Sequence, residues 1–473
     1  MNKPDLYVDL DGTLLWGDSL HEGCVRLVRK PSRWLAALKA LLGGKAAFKA
    51  AVFEAAGPAV DELPYRKDFL DWLKSEKKSG RKLFLATGAD SVLASAVVGR
   101  LGIFDGCLAS RDGVNLTGAV KLSAIKAQAG GAAFSYAGND SIDYPIFESA
   151  ESVVLVGHAA ISWQRPSGKK VEAVFSSTEN SWRSVARQIR PYQWAKNALL
   201  FLPAIAAHRF LEPAVFSADL LLFAAFSLCA SGVYAANDLL DLANDRTHAY
   251  KQHRPLASGE VTIPSGLLLA GLLPLAALGL AWMAAGWPGL AMLAGYWAVT
   301  TYYSVHGKRV PLLDVFLLAG LYTFRAYAGA LTVPAGMSGW MAAFLLFLFF
   351  GLACMKRFSE LLALSQDHEG TVSGRGYRRS DHQLMAMLGI GAAFSAALVI
   401  CLYATSSAVQ PLYHEPLRLM ALAPLVLLGL GRLWFQAWRG QLHADPVLHA
   451  LKDWASYLLL ALCALVMFSA TRA

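Results

Sequence analysis

Four oxygen-bearing side chains crowd one short stretch of this sequence. In "YAANDLLDLANDRTHAYKQHRPLASG", Tyr234 to Gly259, the residues Asn237, Asp241 and Asp245 follow one another at intervals of four. Asp238 and Asp245 lie seven apart. On a helix both intervals return to one face. Hard oxygen ligands gathered in this way suit Mg2+, which binds through one or two carboxylates together with substrate phosphates. Lys251 and Arg254 follow and carry donors suited to a polyphosphate's outer oxygens. The alternative is a solvated loop of mixed charge, because ionisable residues at membrane-helix ends are in part merely interfacial.

A second set is dispersed along the first 150 residues. "DLYVDLDGTLL" is an apolar run ending in Asp9 and Asp11. Alone, it is a strand closing in an acidic turn. "RKLFLATGAD" ends a second strand at Thr87, and "NLTGAVKLSAIKAQ" puts Lys121 at the start of a helix. "AFSYAGNDSIDYPIFESA" ends a third strand at Asn139, Asp140 and Asp143. Sites at the carboxyl ends of parallel strands are the rule in such sheets.

The elements that position these residues differ between the two halves. The chain is 55% hydrophobic and 16% charged, below the roughly 25% charge of soluble domains. The deficit begins near Arg190. Beyond it come about nine apolar segments of membrane-crossing length: 197–216, 218–236, 264–285, 289–304, 311–331, 339–362, 382–404, 417–435 and 453–470. Loops rich in Lys and Arg fall on one side, which predicts a cytoplasmic N-terminus and, with an odd number of spans, an outward C-terminus. No apolar leader precedes the first acidic residues, so the first half is expected in the cytosol. The organisation expected is a domain over 1–160, a linker and helix over 161–190, and a membrane domain over 191–473. The six scattered cysteines form no CxxC and read as packed, reduced thiols. The formal charge of +9 suits the positive-inside rule, anionic lipids or phosphorylated substrates alike. The basic, amphipathic stretch within 25–56 reads either as a cap over the strand-end residues, which we favour, or as a helix lying on an anionic membrane.

"NDLLDLANDRTHAYKQHRP" resembles the first Asp-rich motif of the UbiA superfamily of intramembrane prenyltransferases, as do "RPYQWAKNALLF" and "YYSVHGKRVPLLDVFLLAGLYTFRAYAGA". Members using prenyl diphosphates carry a second DxxxD motif. Here that place reads "CMKRFSELLAL", with Lys356, Arg357 and Glu360, and "SGRGYRRSD" follows with Arg375 and Tyr377. This pattern is similar to the decaprenyl-phosphate phosphoribosyltransferase branch. The resemblance implies transfer of 5-phosphoribose from phosphoribosyl pyrophosphate to a polyprenyl phosphate. Mg2+ would sit on Asn237, Asp238, Asp241 and Asp245, with Lys251 and Arg254 on the pyrophosphate. Lys356, Arg357 or Arg375 would hold the 5-phosphate, and Lys308 or Arg325 the lipid phosphate. An aromatic prenyltransferase remains the alternative. Neither reading calls for nucleic acid.

The order Asp9-Asp11, Thr87, Lys121, Asn139-Asp140-Asp143 resembles the haloacid dehalogenase (HAD) superfamily of phosphatases. It implies an α/β Rossmann-like domain with a small helical cap, joined to an all-α polytopic membrane domain of about nine helices. By that resemblance Asp9 is the nucleophile, Asp11 the general acid and base, and Thr87 a phosphoryl ligand. Lys121 balances charge, with Lys126 its rival. Mg2+ would bind Asp9, the Asp11 carbonyl and the Asn139, Asp140 and Asp143 group. Asn139 departs from the family's usual acidic residue, so a scaffold without catalysis is the alternative.

Overall fold

The computed structural model describes residues 3–28, 31–57, 59–111, 113–163, 168–176, 180–248, 250–364, 375–442 and 445–471. The chain forms two compact units, Met1–Arg190 with Tyr234–Gly271, and Pro191–Val233 with Leu272–Ala473.

The first unit is built on a six-stranded parallel sheet. Its strands are β1 (Asp5–Val8), β2 (Leu83–Asp90), β3 (Gly106–Ser110), β4 (Phe134–Gly138), β5 (Ser152–Gly157) and β6 (Lys170–Ser176), in the order β3-β2-β1-β4-β5-β6. The four inner strands, β2, β1, β4 and β5, are short and largely buried on both faces, as parallel strands are, whereas the edge strands β3 and β6 are mostly part-exposed. Period-two alternation sends Leu6 and Val8 into one core with Leu83, Leu85, Val154 and Val156, and Tyr7 into the other with Tyr136 and Phe147. The direction of winding reverses between β1 and β4. A crevice opens at such a point, outside the carboxyl ends of the strands. The expected linker over 161–190 contains β6, which pairs with β5 from Ser152↔Lys170 to Gly157↔Ser176. Residues 164–167 and 177–179 of that linker lie outside the described ones. Helices α1 (Ser19–Val28), α2 (Pro31–Ala40) and α3 (Lys45–Ala56) fill the region between β1 and β2. They pack on one another through Leu27, Ala37 and Val52.

Among the described residues, seven helices are long and apolar enough to cross a membrane. We label them with the shorter helices of the first unit in chain order: α4 (Trp182–Ile189), α5 (Pro213–Leu240), α6 (Leu242–Thr247), α7 (Ile263–Val305), α8 (Leu313–Thr332), α9 (Gly339–Leu362), α10 (Arg379–Thr405), α11 (Pro416–Trp438) and α12 (Trp454–Thr471). The spanning set is α5 and α7 to α12. The count differs from nine for two reasons. The segments 264–285 and 289–304 are one helix of 43 residues, α7, bent at Ala285 and Gly286. The segment 197–216 is broken into a 3-10 stretch, Pro191–Phe201, a short helix, Leu202–Ala206, and the first turn of α5. His208 at φ 57° ends the short helix, and Pro213 begins the next.

Candidate functional site

At the switch point of the sheet, three separated segments meet. The amide of Asp9 bonds the Ala137 carbonyl at 3.0 Å, which extends β1 toward the end of β4. Lys121 reaches in from the helix Gly118–Ala129, and its Nζ stands 2.9 Å from Asp9 Oδ1 and 3.3 Å from Asp143 Oδ1. Tyr136 donates to that same Asp143 oxygen at 2.8 Å. Lys126, one turn on, is exposed, so Lys121 is the lysine that faces the carboxylates. Burial first, then the neighbouring Asp143 charge, lifts the Asp9 carboxyl to about 6 against the pull of Lys121. Burial, with Asp18 and Asp9 nearby, lifts Asp11 to about 7, while the Ser19 amide holds its Oδ1 at 2.8 Å. A carboxyl with a value near 7 is able both to give and to take a proton.

These side chains line a cavity of about 370 Å³. Asp9, Asp11, Lys121, Asn139, Asp140 and Asp143 all border it. Thr87 does not. It is fully buried, and its hydroxyl accepts from the Ala89 amide at 3.0 Å. The β2 end of the cavity is bordered by Gly88. The Thr87 side chain thus closes its own strand-end turn and does not line the cavity.

The acidic stretch keeps its four-residue register through a helix break. Asp241 N bonds Asn237 O, and Asp245 N bonds Asp241 O, each at 2.9 Å. Asp241 itself lies in the turn between α5 and α6. The sequence predicted four side chains meeting at one cation. Instead Asp238 is held by protein donors: Gln188 at 2.9 Å, Arg190 at 2.7 and 2.5 Å, and Arg254 at 3.0 Å. Arg254 also meets Asp245 at 2.6 Å, and Lys251 stands 3.8 Å from it. Burial raises the Asp245 carboxyl, with Arg254 opposing. Gln188 and Arg190, at the end of α4, were not singled out as site residues. Only the quoted "RPYQWAKNALLF" hinted at Arg190.

In the second unit the predicted cations divide into two groups. Arg357 is fully buried and ion-paired with Asp314 at 2.8 Å and with Glu360. Arg375 stands 3.4 Å from Asp314 and 3.7 Å from Glu360. The Tyr377 hydroxyl accepts from the Leu312 amide at 3.0 Å, and the Arg357 guanidinium lies 5.7 Å from its ring. Arg325 is committed to Asn197, Leu321 O and Tyr296, at 2.8, 2.6 and 2.7 Å. The roles predicted for Arg357 and Arg325 as phosphate ligands thus meet side chains engaged inside the fold. Lys308 lies half-buried in the turn Gly307–Arg309. Lys356 behaves differently. It shares Asp445 Oδ2 with Lys196, at 3.0 and 2.9 Å. Burial would raise the Asp445 carboxyl, but Lys356 and Lys196 hold it well below the usual carboxylate range. Lys196 and Asp445 escaped sequence reasoning because 249 residues separate them.

Among the described residues, no three His, Cys, Asp or Glu side chains stand close enough to hold a metal. Mg2+ asks for less, commonly one or two carboxylates with phosphate oxygens and water. At the sheet, Asp9 and the neighbouring oxygens of Asp11, Asn139 and Asp140 fit that mode. Burial, the main cause that holds the Asp9 and Asp11 carboxyls high, also favours a cation there. At the acidic stretch, Arg190 and Arg254 hold Asp238, and Arg254 holds Asp245, so these two carboxylates are engaged by protein donors.

Fold and site together define an integral membrane protein with an acidic, arginine-braced stretch beside a spanning helix. Residues 198–452 match the UbiA prenyltransferase family, and the chain belongs to that family. Over 468 residues it is 33% identical to the protein y4nM of Sinorhizobium fredii, covering 98% of this chain and 90% of that one. It is 34% identical over 271 residues to the nodulation protein NoeC of Azorhizobium caulinodans, covering 56% of this chain and 86% of that one. It is 33% identical over 198 residues to the decaprenyl-phosphate phosphoribosyltransferase of Mycobacterium tuberculosis, covering 40% of this chain and 64% of that one.

Proposed function

We propose that this chain is a bifunctional membrane enzyme. Its UbiA part transfers 5-phosphoribose from phosphoribosyl pyrophosphate to a polyprenyl phosphate. Its first part is a HAD-type phosphatase, facing the cytoplasm, that removes the 5-phosphate. The observation that carries the transfer is the 33% identity to decaprenyl-phosphate phosphoribosyltransferase. Support for the phosphatase is the meeting of Asp9, Asp11 and Lys121 at the switch point of a parallel sheet.

In the transfer, Arg190, Lys251 and Arg254 are the donors nearest the acidic stretch. A pyrophosphate placed there draws the arginines from Asp238 and Asp245 by its greater charge. The carboxylates so released, with Asn237 and Asp241, are the residues that would hold Mg2+. Lys356 and Lys196 outnumber the one carboxylate they share, and so suit an incoming phosphate. As the C1–O bond of the ribose breaks, the cations stabilise charge growing on the leaving pyrophosphate. The lipid phosphate oxygen forms the new bond at C1.

In the phosphatase, Asp9 attacks phosphorus and the bond to O5 of the ribose breaks. Asp11 donates its proton to that oxygen. Water then attacks the aspartyl-phosphate, Asp11 takes a proton from it, and inorganic phosphate leaves. Lys121 offsets charge on Asp9 throughout. Mg2+ bound by Asp9, the Asp11 carbonyl and the Asn139, Asp140 and Asp143 group would neutralise phosphoryl oxygens.

Mass spectrometry of lipids formed from labelled phosphoribosyl pyrophosphate and polyprenyl phosphate tests both halves. Wild type is expected to give a lipid-linked ribose without its 5-phosphate, and Asp9→Asn the same lipid with the phosphate retained. No lipid-linked pentose from either protein overturns the transfer. Equal loss of the 5-phosphate in both overturns the phosphatase.

A further inference from the structure

The cavity at Asp9 and Asp11 holds one more cation than the phosphatase reading uses. Its bordering Lys and Arg side chains are Lys121, Arg246 and Lys49. Lys121 is paired with Asp9 and Asp143, and Arg246 reaches both Glu22 oxygens at 2.7 Å. Lys49 differs from both. It is only 9% exposed, and among the described residues it forms no ion pair. Its Nζ donates to one backbone oxygen, Gly88 O, at 2.8 Å. We propose that Lys49 forms a second anion subsite in this cavity, for a phosphodiester carried by the same substrate whose phosphomonoester meets Asp9. This rests on the phosphatase reading, in which a phosphodiester joins ribose C1 to the lipid, and adds to it the residue that recognises that group.

Three observations support the assignment. First, the fold holds Lys49 in place. It lies on α3 one turn before Phe53, which is buried in the core of the sheet with Leu14 and Leu85. Residues four apart share a helix face, so the packing of Phe53 also directs the lysine toward the strand ends. Second, the lysine stands apart from the other cation of the site. Strand β1, which leads to Asp9, runs between β2 and β4. Lys49 is tied to Gly88 of β2, whereas Lys121 is tied to Tyr136 of β4 at 3.0 Å. A phosphomonoester at Asp9 therefore has Lys121 toward one side and Lys49 toward the other. Third, Gly88 does not account for the lysine. The Ser110 hydroxyl donates to the same carbonyl at 2.9 Å, so that oxygen stays bonded without Lys49. A charge withdrawn from water with no opposite charge beside it is costly. An anion entering the cavity supplies the opposite charge, and the ammonium has two further N–H bonds to offer it.

The test uses the full-length protein in nanodiscs and two probes, each with a single phosphomonoester. They are methyl riboside 5-phosphate, uncharged at C1, and ribose 5-phosphate bearing a methyl phosphodiester on O1. Phosphate release is followed for wild type, Asp9→Asn, Lys49→Met and Lys49→Arg. Wild type is expected to show kcat/KM about 10-fold higher for the diester probe, the gain from one hydrogen bond between charged groups. Lys49→Met is expected to remove most of that preference, and Lys49→Arg, which keeps the charge, to retain most of it. Asp9→Asn is expected to abolish release from both probes. Lys49→Gln keeps a polar donor in place should Lys49→Met fail to fold. Equal kcat/KM for the two probes in wild type, with Asp9→Asn inactive, overturns the subsite and leaves the phosphatase standing. A fall by the same factor for both probes in the uncharged variants assigns Lys49 to the shared monoester or to the fold, and overturns the subsite as well. No release from either probe by wild type overturns the phosphatase itself, and the subsite with it.

Discussion

Arg254 bridges two carboxylates, with Nη1 at 3.0 Å from Asp238 and 2.6 Å from Asp245. It is only part-buried, at 31% side-chain exposure, so an anionic ligand can reach it and replace the carboxylates it holds. A hydrogen bond to a charged group contributes about 1.5–3 kcal/mol. Arg254→Ala is therefore expected to raise KM for the pyrophosphate donor about 10- to 100-fold, measured by steady-state kinetics in nanodiscs. Arg357 represents the opposite case. It is fully buried against Asp314, itself fully buried. Removing Arg357 leaves the buried Asp314 charge with Arg375 at 3.4 Å as its remaining cation, and breaking such a buried pair costs up to about 3–5 kcal/mol. Arg357→Met should lower the thermal unfolding temperature in detergent strongly. Adding Asp314→Asn should restore much of it, because that buried charge is then gone. If the single variant unfolds like wild type, the pair is not structural.

At the scale of elements, α7 depends on one backbone conformation. Gly286 lies at φ 61° and ψ −145°, a region open essentially to glycine alone. No neighbour lies within 4 Å of a Cβ added there. The cost of substitution is therefore conformational and not steric crowding. Gly286→Ala is expected to destabilise by about 1–3 kcal/mol, read as a lowered unfolding temperature. An unchanged temperature means that the bend relaxes without loss. Helix α4 illustrates another element-level effect. Ser184 donates to Glu260 at 2.8 Å near its start, and Gln188 and Arg190 hold Asp238 at its end. One short helix thus braces both the turn at Glu260 and the acidic stretch.

At the scale of the molecule, acid stability turns on the far end of the sheet. Arg81 forms a fork with Glu172, at 2.7 and 2.9 Å, and also meets Glu76 at 2.9 Å. Burial alone would raise the Glu172 carboxyl, but hydrogen bonds from Arg81 and Ser152 bring it down from 4.5 to about 2. A carboxyl held low in the folded state contributes stability that is fully present above its ordinary value. That contribution is lost as the pH falls from about 4.5 toward 2. Denaturant midpoints of the first unit, followed by tryptophan fluorescence, should fall over this window. Glu172→Gln should flatten the fall, and an equally steep one in that variant removes Glu172 as its cause.

Much was legible from spacing alone. The spans after Arg190 follow from uninterrupted apolar length, because a backbone in hydrocarbon must satisfy its own hydrogen bonds. The four-residue rhythm of Asn237, Asp241 and Asp245 is local, and it survives the break at Asp241. The strand ends carrying Asp9 and Asp143 were legible because parallel strands read as short apolar runs closed by polar turns. What the sequence by itself determined is therefore short-range: where the strands carrying Asp9 and Asn139 end, which stretches are apolar enough to lie in a membrane, and which side chains share a face. Tertiary structure alone decided who pairs with whom. It gave Asp238 to Arg190 and Gln188, set Lys196 and Lys356 on Asp445, committed Arg325 to Asn197, and placed residues 256–264 against the cavity of Asp9. Charge pairing depends on distance in space, and packing of distant segments, not their order in the chain, sets that distance.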